Sequence, residues 1–356
     1  MFSKLWAASA AVVISMAVLA PAAAACGFLV AANGAVRLVR TSTFVAWDGE
    51  VERYITNFEF ASAEKSFGSI IPLPGEPTDV RKAGQWTLQR LDREVRPEDP
   101  DGDGAVTTAA GESAASGVEV LLETRIDSLD ITVVRGGGSE VAAWAADNGF
   151  SLGEEAGGLL DFYSDRSPYF LAARFDAPAA EADGFTSGDG IPILVEMPTE
   201  RPWVPLHILG FEKPAAEIVE ADVFLLTPDR PELVHGVGLT VNRSERANGR
   251  LLDDLRADES MGWVPIDAWF THLELSVPVA DLSYDLSVGA DGTAPSLLEA
   301  GLTRFDLSAD DLAGFGFTVD EGAPSWWLLG ATAVALGLVG GAAGAWAVTR
   351  QQARST

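Results

Sequence analysis

Apolar and polar residues alternate with a period of two through residues 51–60, where Phe58 and Phe60 interleave with Asn57 and Glu59. The same period returns at 269–277, where Trp269, Thr271, Leu273, Leu275 and Val277 interleave with Phe270, His272, Glu274 and Ser276. Successive side chains of an extended chain point to opposite faces, so both segments read as strands with one covered and one wetted face, His272 on the latter. Further β-rich runs fall at 36–43, 67–73, 118–124, 131–134, 169–175, 191–197, 203–209, 221–226 and near Leu239. Asp48 and Gly49 supply a tight hairpin turn after the first of these. Pro72 and Pro74 close the run at 67–73.

Helical patterning is sparser. Residues 86–93 read as a short helix, and Ser139 is placed to N-cap a second one through Val141, Trp144 and Ala145, with Asn148 and Gly149 as its stop. Ser151 and Glu154 have capping-box spacing ahead of a helix carrying Leu159, Leu160, Phe162 and Tyr163, and 251–255 read as one more. The pattern predicts an α+β fold in which strands predominate.

Two segments have no alternation because they have no polar positions. Residues 326–348 carry no charge, span roughly 34 Å as a helix and are followed by Arg350 and Arg354, which predicts one C-terminal transmembrane helix with its tail, 349–356, in the cytoplasm. At the other end Lys4 precedes an apolar run and a string of alanines, the layout of a signal peptide over 1–25. Residues 26–322 are then an exterior domain of one unit or two, interrupted at 97–117 by a flexible Asp-, Gly- and Ser-rich insertion with little to bury. The segment 284–320, acidic and glycine-containing, reads as a stalk or outer element leading to the membrane. These features predict a single-pass cell-membrane protein with an extracellular N-terminal domain.

Charge and cysteine narrow the partners. Setting Lys4, Arg350 and Arg354 aside leaves 21 of 24 basic residues against all 52 acidic ones, so the exterior portion carries a formal charge near −31. Such a surface repels phosphate backbones, and nucleic acid is excluded as a partner. The single cysteine, Cys26, excludes an intrachain disulfide. It lies at the cleavage junction and is the candidate lipidation site, although Ala23 stands where a lipobox carries a larger apolar residue.

Candidate chemistry is thin. Asp99, Asp101 and Asp103 alternate ahead of a turn glycine, the oxygen-rich spacing that calcium favours, but Ala110 occupies the position where an EF-hand loop needs a bidentate glutamate. A solvated acidic loop is the plainer reading, and no other cofactor is expected. Ser62 and Lys65 match S-x-x-K without a K-T-G partner, and no nucleophile elbow, zinc helix or phosphate loop is present. His207, His235 and His272 lack ligand spacing; His207, in an apolar run, reads as a core or rim residue of a strand. The tryptophans read first as core, although Trp47, Trp86, Trp144, Trp203, Trp263 and Trp269 could line a shared cleft. Gly337 with Gly341 and Gly340 with Gly344 repeat at four-residue spacing and offer a close-packing face to a membrane-protein partner or a second copy.

The stretch from Cys26 through Asn33-Gly34 and Arg40-Thr41, FGSIIPLPG at 67–75, residues 86–95, WAADNGF at 144–150, FYSDRSPYFLAARF at 162–175 and WVPLHILG at 203–210 together resemble a bacterial exported family filed as domain of unknown function 2330. The resemblance implies export or membrane anchoring and brings no catalytic residues. That family's pattern often has a glycine pair and a second cysteine after the first; here Gly27, Phe28 and Leu29 follow. The expectation is a non-enzymatic binding or structural module of the cell envelope. Its alternatives are an extracellular hydrolase whose site forms only on folding, and an accessory subunit of a membrane complex working through the glycine-rich helix.

Overall fold

A computed structural model describes residues 23–24, 28–31, 40–59, 67–96, 118–150, 152–153, 156–185 and 190–303. All of them fall in one unit, Met1–Leu307, and a second unit, Ser308–Thr356, contains none. In chain order the strands and helices are β1 Ala23–Ala24, β2 Phe28–Ala31, β3 Arg40–Trp47, β4 Val51–Glu59, β5 Phe67–Leu73, β6 Asp79–Lys82, α1 Thr87–Val95, β7 Glu119–Ile126, β8 Leu129–Arg135, α2 Gly138–Asp147, α3 Ala156–Ser164, β9 Tyr169–Phe175, α4 Ala177–Ala182, β10 Gly190–Pro198, β11 Trp203–Val204, β12 Ile218–Thr227, β13 Glu232–Val234, β14 Leu239–Arg246, α5 Gly249–Ala257, β15 Trp269–Pro278 and β16 Leu286–Gly289. The fold is α+β and strand-dominated, with a few short helices. Among the described residues no helix is long and apolar enough to cross a membrane, and the segment expected to do so, 326–348, lies outside them.

The largest sheet runs β14-β15-β12-β3-β4-β10-β6, with β1 alongside β3. Its β3–β4 hairpin turns at Asp48 and Gly49 as expected: Gly49 has φ +103°, and Asp48 Oδ1 accepts the Glu50 and Val51 N–H groups at 3.1 and 2.8 Å. β12 lies parallel to β3 in the middle, and its run VFLL is buried on both faces. On one face Phe44, Ile55, Phe224 and Phe270 meet Leu88 and Leu91 of α1 and Leu251, Leu252 and Leu255 of α5. Each fully covered leucine there contributes roughly 1.5–3 kcal/mol of burial. The opposite face is covered as well, with Tyr54, Val223, Leu225 and Ile193 at 1% exposure or less.

A five-stranded sheet, β2-β5-β9-β8-β7, packs Ile70, Val134, Phe170 and Ala172 against Val141 and Trp144 of α2 and Leu160 and Tyr163 of α3, with Trp203 and Ile208 in the same cluster. α2 and α3 approach closely at Gly138, where a Cβ would strike the backbone at Leu160 and Asp161. The N-cap of α2 is Gly137, not Ser139, and its N–H is taken by Glu140 Oε2 at 2.9 Å. Asn148 and Gly149, with φ +83°, end the helix as the sequence predicts. The capping pair Ser151 and Glu154 lies outside the described residues.

Three further expectations are corrected. Residues 203–209 are not one strand: β11 stops after Val204, and His207–Gly210 form a 3-10 turn. Residues 284–303 are not a stalk, because β16 is buried throughout and joins β11 and β13 in a third sheet, β11-β16-β13. His272 is not on a wetted face; it is 3% exposed, because β15 is an interior strand of a sheet covered on both sides.

Candidate functional site

The segments 162–170 and 203–210 meet around a carboxylate that neither contains. Asp285, fully buried, accepts the Tyr163 hydroxyl at 3.1 Å and the Leu206 and His207 backbone N–H groups at 2.6 and 2.9 Å on Oδ1, and pairs with the Arg166 guanidinium at 2.6 Å through Oδ2. These amides open the 3-10 turn, so the carboxylate satisfies donors that would otherwise be orphaned. The Tyr163 oxygen in turn accepts the Ile208 N–H at 2.9 Å. Burial, then the neighbouring Asp285 charge, pushes the Tyr163 hydroxyl pKa well above its ordinary value, so it remains a donor.

Arg166 is 3% exposed and is held on every side. Its guanidinium carbon lies 4.1, 4.9 and 4.8 Å from the rings of Phe162, Tyr163 and Trp203, and its Nη1 donates to the Glu299 carbonyl at 2.6 Å. A planar cation among aromatic faces gains both cation–π attraction and a fixed fork of donors. This clasp ties the end of α3 to the turn and to β16.

Because Asp285 engages the main chain of His207, the imidazole is left over. The ring meets the Phe162 ring edge-on at 4.7 Å, and its Nδ1 is buried with no hydrogen-bond partner among the described residues. It borders a cavity of ≈ 530 Å³ whose apolar walls are Leu159, Phe211, Val279 and Leu282 and whose polar groups are His207, Glu212 and Lys213. Glu212 sits at φ +55°, a conformation that costs a non-glycine residue about 1 kcal/mol or more and recurs at functional sites. Lys213 makes no ion pair among the described residues, whereas Lys82 is paired with Asp127. Burial lowers the pKa of both cavity cations: for His207 against the pull of Asp285 and with the help of Arg166, for Lys213 against the pull of Glu217.

A second histidine site lies on the helix-covered face of the large sheet. His272 stands opposite Phe224 across the β15–β12 pair, its ring stacked on that phenyl at 5.1 Å, and its Nε2 lies 2.8 Å from Asp222 Oδ1. Arg96, at the end of α1, takes the same carboxylate with both terminal nitrogens at 2.7 and 3.2 Å and also pairs with Asp92. The Asp222 hydrogen bond raises the Arg96 pKa further. A smaller cavity of ≈ 270 Å³ adjoins, lined by Arg96, Arg243, His272, Asn242 and Glu274. Arg243 is itself occupied, with Glu94 at 3.1 Å and Glu245 at 2.6 Å.

His235 stands apart, its Nδ1 against the Gly236 carbonyl at 2.8 Å. The three histidines therefore do not form a triad, and among the described residues neither cavity is lined by serine, threonine or cysteine. The tryptophans do not share a cleft: Trp203 stacks on Tyr163, Trp263 on Phe44, Trp144 packs on Phe150 and Trp47 donates to the Thr199 carbonyl. Asp99, Asp101, Asp103, Cys26, Gly337, Gly340, Gly341 and Gly344 lie outside the described residues, and within those residues no His, Cys, Asp or Glu group is placed to hold a metal. Lys213 and Asp285 escaped the sequence reading. Their roles depend on burial and on partners far away in the chain, and no local motif marks either.

A family model described as "uncharacterized protein conserved in bacteria" matches residues 20–232, a span that contains α3, His207 and Lys213 and stops before His272 and Asp285. No curated protein matches the chain. Two solved structures align over much of it: baculovirus P35, at 11% identity and TM-score 0.36, covering 70% of this chain and 96% of that one, and a mutated baculovirus P35 after caspase cleavage, at 8% and 0.35, covering 69% and 95%. Scores this low carry no inference about the fold or the role of this chain. With more than half of its residues matched, the chain belongs to the uncharacterized bacterial family DUF2330.

Proposed function

We propose that this is a single-span protein of the cell envelope whose exterior domain is a non-enzymatic binding module, with its ligand seated in the cavity between α3 and the His207–Gly210 turn. One observation carries the reading: His207, whose buried Nδ1 has no hydrogen-bond partner among the described residues, and Lys213, which makes no ion pair among them, line the same cavity. Buried polar groups are ordinarily satisfied, so such a pair is poised for a ligand. Among the described residues no nucleophilic hydroxyl or thiol lines the cavity, which favours binding over covalent hydrolysis.

The hydrolase reading has one observation in its favour, the His272–Asp222 contact beside the smaller cavity. It ranks second because Arg96 already neutralises Asp222, so that carboxylate does not serve the imidazole alone. With Arg96, Asp222 forms a structural clasp between the end of α1 and the sheet, and His272 shares its carboxylate.

Native mass spectrometry of the full chain, released from the membranes in which it is made, tests the module. The expected spectrum contains a noncovalent small-molecule adduct that is lost when Leu159→Trp fills the cavity. A bare wild-type protein, or an adduct that survives Leu159→Trp, would remove the reading. For the topology, protease added to wall-stripped cells should digest the exterior domain and spare a tag on Thr356; loss of the tag would reverse the orientation.

A further inference from the structure

We propose that the cavity at His207 and Lys213 selects a small amphiphile with a single anionic head, an inference that rests on that cavity being the ligand site. The walls set the body. Leu159, Phe211, Val279 and Leu282 offer an apolar surface, and ≈ 530 Å³ suits a small molecule. The polar end sets the head. A neutral apolar ligand would strip water from the Lys213 ammonium and return no counter-charge, which costs free energy.

An anionic head reverses that penalty: it pairs with an ammonium whose burial already disfavours its charge and which Glu217 alone counters, beside the His207 ring that lines the same cavity. A cationic head would meet Lys213 directly, and Glu212, the acid in the lining, is exposed and keeps its own hydration. Polyanions are excluded on other grounds: the chain carries a formal charge of −28, so a long charged polymer is repelled at every surface the cavity does not reach. A short anion with an apolar body exposes little charge to that field once seated.

Two probes of nearly equal shape isolate the head: naphthalene-1-sulfonate, which is charged, and naphthalene-1-sulfonamide, which is neutral at pH 7.5. Each is titrated calorimetrically into the full chain in lipid nanodiscs, with empty nanodiscs subtracted. The sulfonate should bind about tenfold more tightly than the sulfonamide, the scale of one partly buried ion pair. Lys213→Met should erase that preference and leave sulfonamide binding unchanged, Lys213→Arg should retain it, and Leu159→Trp should abolish binding of both. Equal binding of the two probes, undisturbed by Lys213→Met, would overturn the anionic class and leave the cavity standing as a site. Failure of the wild type to bind either probe would overturn the cavity reading with it.

Discussion

At His272 the imidazole itself holds the buried carboxylate, and Arg96 takes the remaining valence; at His207 the backbone N–H holds it, Arg166 takes the other oxygen, and the ring is released toward a cavity. Both sites contain histidine, a fully buried aspartate and an arginine. What differs is the local backbone. On paired strands, His272 and Asp222 point to the same face two positions apart, so side chain meets side chain. A 3-10 turn instead presents its first N–H groups along its axis, and an aspartate placed there caps the main chain, leaving the side chain uncommitted. The same three residue types thus give a structural clasp in one place and an open coordination position in the other.

The sharpest way to break this comparison is through the aspartates. Asp285→Ala removes the acceptor of four donors, including a guanidinium that is 3% exposed and cannot recover water. The expected cost is about 3–5 kcal/mol, read as a fall in the denaturant midpoint followed by tryptophan fluorescence. Asp222→Ala strands His272 as well, but Arg96 is 37% exposed and can turn to solvent and Asp92, so about 1–3 kcal/mol is expected. Equal losses would mean that the exposure of the arginine does not separate the two clasps.

How far these sites were legible follows from the range of their contacts. The alternation at 51–60 and 269–277 located β4 and β15, and Asp48-Gly49 located the hairpin, because those signals are local. The covered face of β15 was not readable: alternation distinguishes two faces, but both are buried where a sheet has layers on each side, and His272 on the supposed outer face is 3% exposed. The turn at His207 was read as strand from its apolar composition, since its cap, Asp285, arrives from 78 residues away. Asp285 itself lies in a stretch whose acidic, glycine-containing composition suggests a stalk or outer element, because composition says nothing of partners.

A third buried acid tests whether partners or burial control these groups. Glu52 is fully buried, neither carboxylate oxygen has a hydrogen bond of good geometry among the described residues, and burial outweighs the opposing pull of the nearby Trp203 N–H. Burial therefore raises its pKa well above 4.5, so the folded state retains a proton that the unfolded chain releases. Its stability contribution is full below about pH 4.5 and is lost as pH climbs from there through the folded value. Glu52→Gln removes the titration, so the stability difference between variant and wild type should grow in the variant's favour by up to about 1.4 kcal/mol per pH unit in that window. A pH-independent difference in thermal midpoint would show that Glu52 has an ionic partner.

The smallest expected effect bears most directly on function. His207→Leu should cost less than about 1 kcal/mol at pH 8, because the ring's Nδ1 has no hydrogen-bond partner among the described residues, whereas His272→Gln breaks a bond to a buried carboxylate and should cost more. The His207 pKa is lowered by burial below its ordinary 6.5, so between that lowered value and 6.5 the unfolded chain binds more protons than the folded one. Stability from this residue is thus full above pH 6.5 and falls as pH drops through that window, and His207→Leu should flatten the acid slope. Sulfonate binding should show the opposite trend, tightening as the imidazole gains its proton beside the anionic head. Stability and binding with opposed pH slopes, both removed by one substitution, would identify the free ring as the ligand-facing group; parallel slopes, or a loss at pH 8 as large as that of His272→Gln, would make His207 a second clasp and erase the difference between the two sites.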